Sequence, residues 1–256
     1  MTIRIDNDLA NPGQFFGCCG LLELADGLQP GAKGWFEGSD FHIASDVTLA
    51  ELIEKISRVE LRAMDPGNST STRIQIGSPF NLRLDWWLDD RAGGRDLKVW
   101  AGTMESARIA QAMQRTMQAP EFQTPALLNI GCIAYDGEKK VEPYYFDARR
   151  GPNAHSRDVG FSPNDLQLTT TAFPAVEFLC LVGLQRAIPT RIKRSRMFEY
   201  YTWKQPLPPE LVPVAVAGLL PHAHQQGYRF ENWYRTGQKK HKAFLPAIPI
   251  SPRGNP

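Results

Sequence analysis

Hydrophobic residues along this chain fall into short period-two alternations and helical faces, in an irregular order. Thr2–Ile5 alternates like a short strand. Asn11-Pro12 supplies an N-cap and a first-turn proline, and Gly13–Ala25, apolar nearly all round, reads as a buried helix ending before Gly27. Two short β-like pieces occupy Gly34–Ser45. Thr48 opens an amphipathic helix with Leu49, Leu52, Ile53 and Ile56 on one face and Glu51 as the acid of a capping box. Residues 65–72 are a loop by composition. Phe80–Leu88 has the clearest strand pattern: Phe80, Leu82, Leu84, Trp86 and Leu88 share one parity, with Asn81, Arg83, Asp85 and Asp89 on the other. That parity turns Trp86 to the core and Trp87 away from it.

A turn at Asp90–Arg95 is expected to bring Leu97–Ala101 back antiparallel. Thr103–Met117 is helical by period. Within Asn129–Phe146 two β-like runs flank Asp136-Gly137, a hairpin signal. Pro174–Arg186 is a second buried helix, and Met197–Trp203 and Arg229–Arg235 read as later strands. Helices and strands mix without a regular βα repeat, which predicts an α+β fold of antiparallel sheets backed by helices. An internal echo at an offset of 163 lays Gln14 on Glu177, Phe15 on Phe178, Gly20 on Gly183 and Leu21 on Leu184, the pattern of two similar halves. The expected organisation is an acidic α+β part over 1–165 with a basic α+β part over 166–245 packed on it, as one continuous domain or two. A Pro-rich, frayed tail is expected over 246–256.

Composition narrows the class. At 256 residues, 42% apolar and 22% charged, the chain can bury a sizeable core and is not generally disordered. No apolar stretch approaches the roughly 20 residues of a membrane span, and the amino terminus lacks a signal-peptide pattern. Cys18, Cys19, Cys132 and Cys180 contain no C-x-x-C and sit in apolar settings, so they are expected to pack as thiols in a reducing compartment. A cytoplasmic chain with no membrane partner is the expectation.

The net charge of +2 hides an asymmetry. From Arg186 onward, twelve Lys/Arg face three Glu, a net +9, which leaves −7 on the first 185 residues. Arg191, Lys193, Arg194 and Arg196 form one cluster; Lys239, Lys240, His241 and Lys242 form another. Such clusters suit a phosphate backbone or an acidic subunit.

The phosphate-loop, dinucleotide, zinc-protease and nucleophile-elbow motifs are absent. Asp136, Glu138 and Lys140 superficially match half of a nuclease site, but a turn explains Asp136-Gly137. His222 and His224 are a close pair without a nearby acidic or thiol ligand, and His155 lies in a polar loop framed by aromatics. Arg149, Arg150 and Arg157 either grip phosphate bidentately or pair with Asp147 and Asp158. No metal site or cofactor is expected.

Several segments carry a family resemblance: Asn11–Ala25, Leu84-Asp-Trp-Trp87, Lys98-Val-Trp-Ala-Gly102, Phe146-Asp-Ala-Arg-Arg with Asp158–Ser162, Glu177–Arg186, and Tyr201-Thr-Trp-Lys-Gln-Pro-Leu-Pro-Pro209. Together, in order over roughly residues 10–210, they resemble the third member of the Csb family of CRISPR-associated proteins, from subtype I-G, formerly I-U. The opening helix also looks like the first helix of that subtype's large subunit. The resemblance implies a non-catalytic subunit of an RNA-guided DNA-interference (Cascade-like) complex, with neighbouring effector subunits and crRNA or target DNA as partners. The related RNA-handling proteins carry a glycine-rich loop near the carboxyl end, whereas here only the widely spaced Gly218, Gly227, Gly237 and Gly254 follow Gly183. Side chains must then do the gripping: Arg191, Lys193, Arg194, Arg196, Lys239, Lys240 and Lys242, with Arg149, Arg150 and Arg157, and Trp203, Trp233 and Tyr234 as stacking surfaces. Two alternatives stand beside it: an endoribonuclease that processes CRISPR repeat RNA with His155, or His222 and His224, as acid–base, and a scaffold that touches only protein.

Overall fold

Asn11 accepts the Gly13 N–H at 3.1 Å, and from this cap helix α1 runs Pro12–Leu28. The computed structural model describes residues 1–65, 67, 72–85, 105–150, 171–193, 195–220, 225–234 and 241–251. α1 continues beyond Ala25 through Gly27, since its hydrogen-bond ladder closes only when Gln29 N–H reaches Ala25 O. Strands β1 (Thr2–Ile5), β2 (Lys33–Glu37) and β3 (Asp40–Ala44) form a sheet in the order β1-β3-β2, with both pairings antiparallel. β1 and β2 are therefore parallel, and α1 is the crossover of a split β-α-β unit. Ile3, Ile5, Phe36, Phe41 and Ile43 occupy the buried positions of these strands, and Phe15 of α1 stacks on Phe36 at 5.2 Å.

Helix α2 (Leu49–Arg58) starts on the reciprocal Thr48–Glu51 capping box and buries Leu52, Ile53 and Ile56. Strands β4 (Leu61–Ala63), β5 (Ile74–Ile76) and β6 (Arg83–Leu84) form a small antiparallel sheet beside α3 (Ser106–Thr116). Here the expected strand is cut short. Within Phe80–Leu88 only Arg83–Leu84 are strand among the described residues: Asn81, at φ 51°, turns its N–H onto Gly77 O, so Phe80 reaches the core from a turn. Trp86, Trp87 and the returning 97–101 lie outside the described residues. β7 (Ala134–Asp136) and β8 (Lys139–Val141) make the expected hairpin, with Gly137 at φ 62°.

Helix α4 (Pro174–Gly183) is buried at all ten positions. It ends before Arg186 because the N–H groups of Gln185 and Arg186 turn onto carbonyls three residues back. Strands β9 (Thr190–Arg191), β10 (Met197–Tyr201), β11 (Gly227–Tyr234), β12 (His241–Phe244) and β13 (Ile248–Ile250) form an antiparallel sheet in the order β12-β11-β10-β9, with β13 also on β11. The short helix α5 (Val212–Val216) packs beside β10. The tail is not frayed through residue 250: Ala247 N–H donates to Ala10 O at 2.7 Å, and Pro249 sits in β13, an edge strand that tolerates a missing N–H. Gly34 and Leu207 exchange backbone bonds of 2.8 and 3.0 Å, which ties the segment after β10 to the edge of β2. This is an α+β fold.

α1 and α4 touch in a repeating way. A Cβ on Gly20 would lie 2.0 Å from Leu179 O, and one on Gly183 would lie 1.9 Å from Phe16 O. Glu23 meets Arg186 at 2.8 Å, and a Cβ on Gly13 would meet Val176. Phe16/Leu179, Gly20/Gly183 and Glu23/Arg186 are all related by the offset of 163. Contact partners rise together along both helices, so the two run in the same direction about an approximate two-fold axis between them.

Candidate nucleic-acid interface

The turn between β9 and β10 is built before anything binds. Ile192 N–H donates to Met197 O, Ser195 Oγ donates to Ile192 O, and Met197 N–H donates to Ser195 Oγ, all between 2.9 and 3.1 Å. Arg191 Nε donates to Ser195 O at 3.0 Å, so the guanidinium of this residue braces its own turn. Lys193 and Arg196 are both exposed. β11 runs antiparallel to β10 with Met197 opposite Glu231, and Asn232 N–H donates to Arg196 O. β11 therefore ends, at Tyr234, beside this turn, and β12 begins there with His241 opposite Tyr234. Register thus places the β9–β10 turn and the two strand ends that bound residues 235–240 at one end of the sheet. Arg194, Lys239 and Lys240 lie outside the described residues, as do the side chains of Lys242 and Tyr234.

A third element reaches the same end. Phe244 N–H donates to Tyr145 O, and His241 Nε2 lies 2.8 Å from Tyr144 O, so segment 144–150 runs against β12. Glu177 Oε2 and Oε1 accept the N–H groups of Phe146 and Asp147 at 3.2 and 3.1 Å. Asn11 Oδ1 accepts Ala148 N–H, and Asn11 Nδ2 donates to Asp147 Oδ1. The N-termini of α1 and α4 both meet this peptide, and Tyr145 is held at φ 65°. Burial pushes the Glu177 carboxyl up to about 8; the Asp147 charge adds to the rise and the backbone N–H groups oppose it.

Two of the expected site residues are corrected by their surroundings. Arg149 donates to both oxygens of buried Asp147, to Asn129 Oδ1 and to Leu128 O, and its guanidinium carbon sits 3.5 Å over the Phe173 ring. Four of its five N–H donors are spent on these partners, so Arg149 takes the pairing alternative and fastens residue 149 to residue 173. Trp203 offers no stacking surface: it is 0% exposed among Phe15, Phe36 and Phe41, and its Nε1 donates to Gly34 O at 2.7 Å. Arg150 and Trp233 are half-buried, with Trp233 opposite Ala243. Arg157, His155, His222 and His224 lie outside the described residues.

Asp136 is held by Arg108 at 2.9 Å and Arg115 at 3.3 Å on α3, which accounts for it without a nuclease role. Burial pushes the thiols of Cys18, Cys19 and Cys180 up, so they stay protonated in the core. Among the described residues no group of three or more His, Cys, Asp or Glu is placed to hold a metal, and no helix is long and apolar enough to cross a membrane.

Sequence reasoning passed over Asn11, Asp147, Glu177 and His241 as a connected set. The available signal was Glu177, the one charge inside an apolar run covered on all sides, which has to be hydrogen-bonded somewhere. No protein-family model, curated protein or solved structure matches this chain.

Proposed function

We propose that this chain is a non-catalytic subunit of a cytoplasmic, RNA-guided DNA-interference complex of the CRISPR type, and that it holds a crRNA or target-DNA backbone with the basic end of its five-stranded sheet. The observation that carries the reading is one of register. Clusters some forty residues apart in sequence, Arg191–Arg196 and the residues bounded by Tyr234 and His241, leave the sheet at the same end. The ordered motifs between residues 10 and 210 supply the assignment to an interference complex. In such complexes base pairing reads the sequence, so the protein's task is to hold backbone and neighbouring subunits.

A salt titration tests it. Affinity for single-stranded RNA is expected to fall with salt at a log–log slope of about −0.7 per phosphate neutralised. Changing Lys193, Arg194, Lys239 and Lys240 together to Ala should weaken binding alike across sequences and flatten that slope. Circular dichroism of the variant checks that it still folds. Unchanged affinity and slope remove this end of the sheet from the interface. Cleavage of repeat RNA that disappears with His155→Ala or His222→Ala overturns the non-catalytic assignment.

A further inference from the structure

His241 opens β12 and is 3% exposed. Its Nδ1 lies 2.8 Å from Asn232 Oδ1 and its Nε2 lies 2.8 Å from Tyr144 O. Both partners are oxygens that only accept. A neutral imidazole carries one N–H and can donate to one of them, whereas the imidazolium donates to both. The two acceptors also belong to different parts of the basic end. Asn232 lies on β11, and its backbone N–H holds Arg196 O in the β9–β10 turn. Tyr144 heads the segment that carries Arg149 and Arg150 toward residues 151–170.

We propose that His241 is a positioning residue of the basic interface and serves it as an imidazolium, a proton-dependent tie between β11 and segment 144–150. The proposal rests on reading that end of the sheet as the nucleic-acid interface. With the proton present, both ties hold and the basic elements keep one mutual arrangement. Without it, one tie is lost and that arrangement loosens, so affinity for a phosphate backbone rises as pH falls through the titration of the ring. The rings of Phe146 and Phe244 pack on the imidazole at 5.3 Å. Among the described residues, the titratable groups beyond them include Glu177 and Asp147, reached through the peptide at 146–147, with Arg149 held on Asp147 and the Tyr144 hydroxyl held on Ser106 O. On the sheet, Glu199 and Arg229 pair with each other at strand positions of opposite parity to Asn232, on the other face, and Lys242 is the ring's chain neighbour.

The test uses the full chain labelled with 15N-histidine and a fluorescent oligouridine at constant ionic strength, between pH about 6 and about 8. The ring nitrogens of His241, assigned by through-bond correlation, are expected both to carry protons at the lower pH. The gain in oligouridine affinity from high to low pH should be at least about threefold larger in the wild type than in His241→Gln. Comparing the two chains cancels titrations they share, including that of Glu177. A ring that keeps a single proton throughout, or a pH ratio identical in both chains, overturns the proposal and leaves the interface reading standing. A chain that binds neither oligouridine nor single-stranded DNA at either pH overturns the interface reading itself. Should His241→Gln fail to fold, the wild-type ring spectrum still decides.

Discussion

A carboxyl group inside α4 is tolerated because two backbone N–H groups meet it, one on each oxygen. Burial still charges for ionisation, and the sign follows from the direction of the shift. The Glu177 carboxyl is raised from 4.5 to about 8, so its contribution to stability is fully present below 4.5 and is lost as pH rises toward 8. In chemical denaturation across that window the wild type should lose on the order of a few kcal/mol relative to Glu177→Gln, whose side chain does not titrate. Parallel profiles for the two chains would show that the carboxyl stays ionised in the fold down to acid pH. Arg149 makes the companion point about assigning roles from charge. The sequence shows an arginine beside an aspartate and an arginine beside a polar loop, and both descriptions are true. What decides is that Asp147 is fully buried and takes the guanidinium.

At the scale of elements, two glycines, one on α4 and one on α1, should respond in opposite ways. Gly183→Ala drives a methyl to 1.9 Å from the Phe16 carbonyl, a backbone atom that cannot step aside, and should destabilise by about 3 kcal/mol or more. Gly17→Ala meets nothing nearer than 3.6 Å and should be neutral or stabilising by up to about 1 kcal/mol, through helix propensity. Urea melts of both variants check the pair, and a Gly183→Ala variant as stable as the wild type would mean that the helices stand farther apart than described. Much of this layout was legible in the sequence. Capping chemistry gave the starts of α1 and α2, all-round apolarity gave the buried state of α1 and α4, and Asp136-Gly137 gave the hairpin. What stayed illegible depended on distant partners. Phe80 fits a strand alternation but lies in a turn, since period two cannot see the turn at Asn81; Trp203 looked available because nothing local says that Gly34 will accept its N–H. The candidate site was half legible. The basic clusters stand out by charge, but placing the strand ends that bound them at one end of the sheet took register, and His241 was hidden within a cluster read only as positive.

The whole molecule should unfold as one unit. α1 touches two sheets, with Phe15 against Phe36 of one and Tyr200 of the other, and the Gly34–Leu207 bridge ties the segment after β10 to the edge of β2. A boundary near residue 165 therefore divides charge without dividing the core. Intrinsic fluorescence and circular dichroism should give coincident denaturation curves. Two separated transitions would mean that the acidic and basic parts fold independently. Charge asymmetry also bears on association: under the proposed function, the +9 on residues 186–256 against −7 on the rest should make the association rate with nucleic acid fall as salt rises.

The matched contact between α1 and α4 has a consequence for synthesis. At roughly 5–20 residues per second, the ribosome needs on the order of ten to thirty seconds to make the 163 residues that separate Gly20 from Gly183. Throughout that delay the glycine face of α1 has emerged without its partner. The face it awaits resembles its own, so another nascent copy of α1 on the same messenger offers nearly the right shape. Correct assembly then depends on the first helix being shielded, by its own sheet or by a chaperone, until the second arrives.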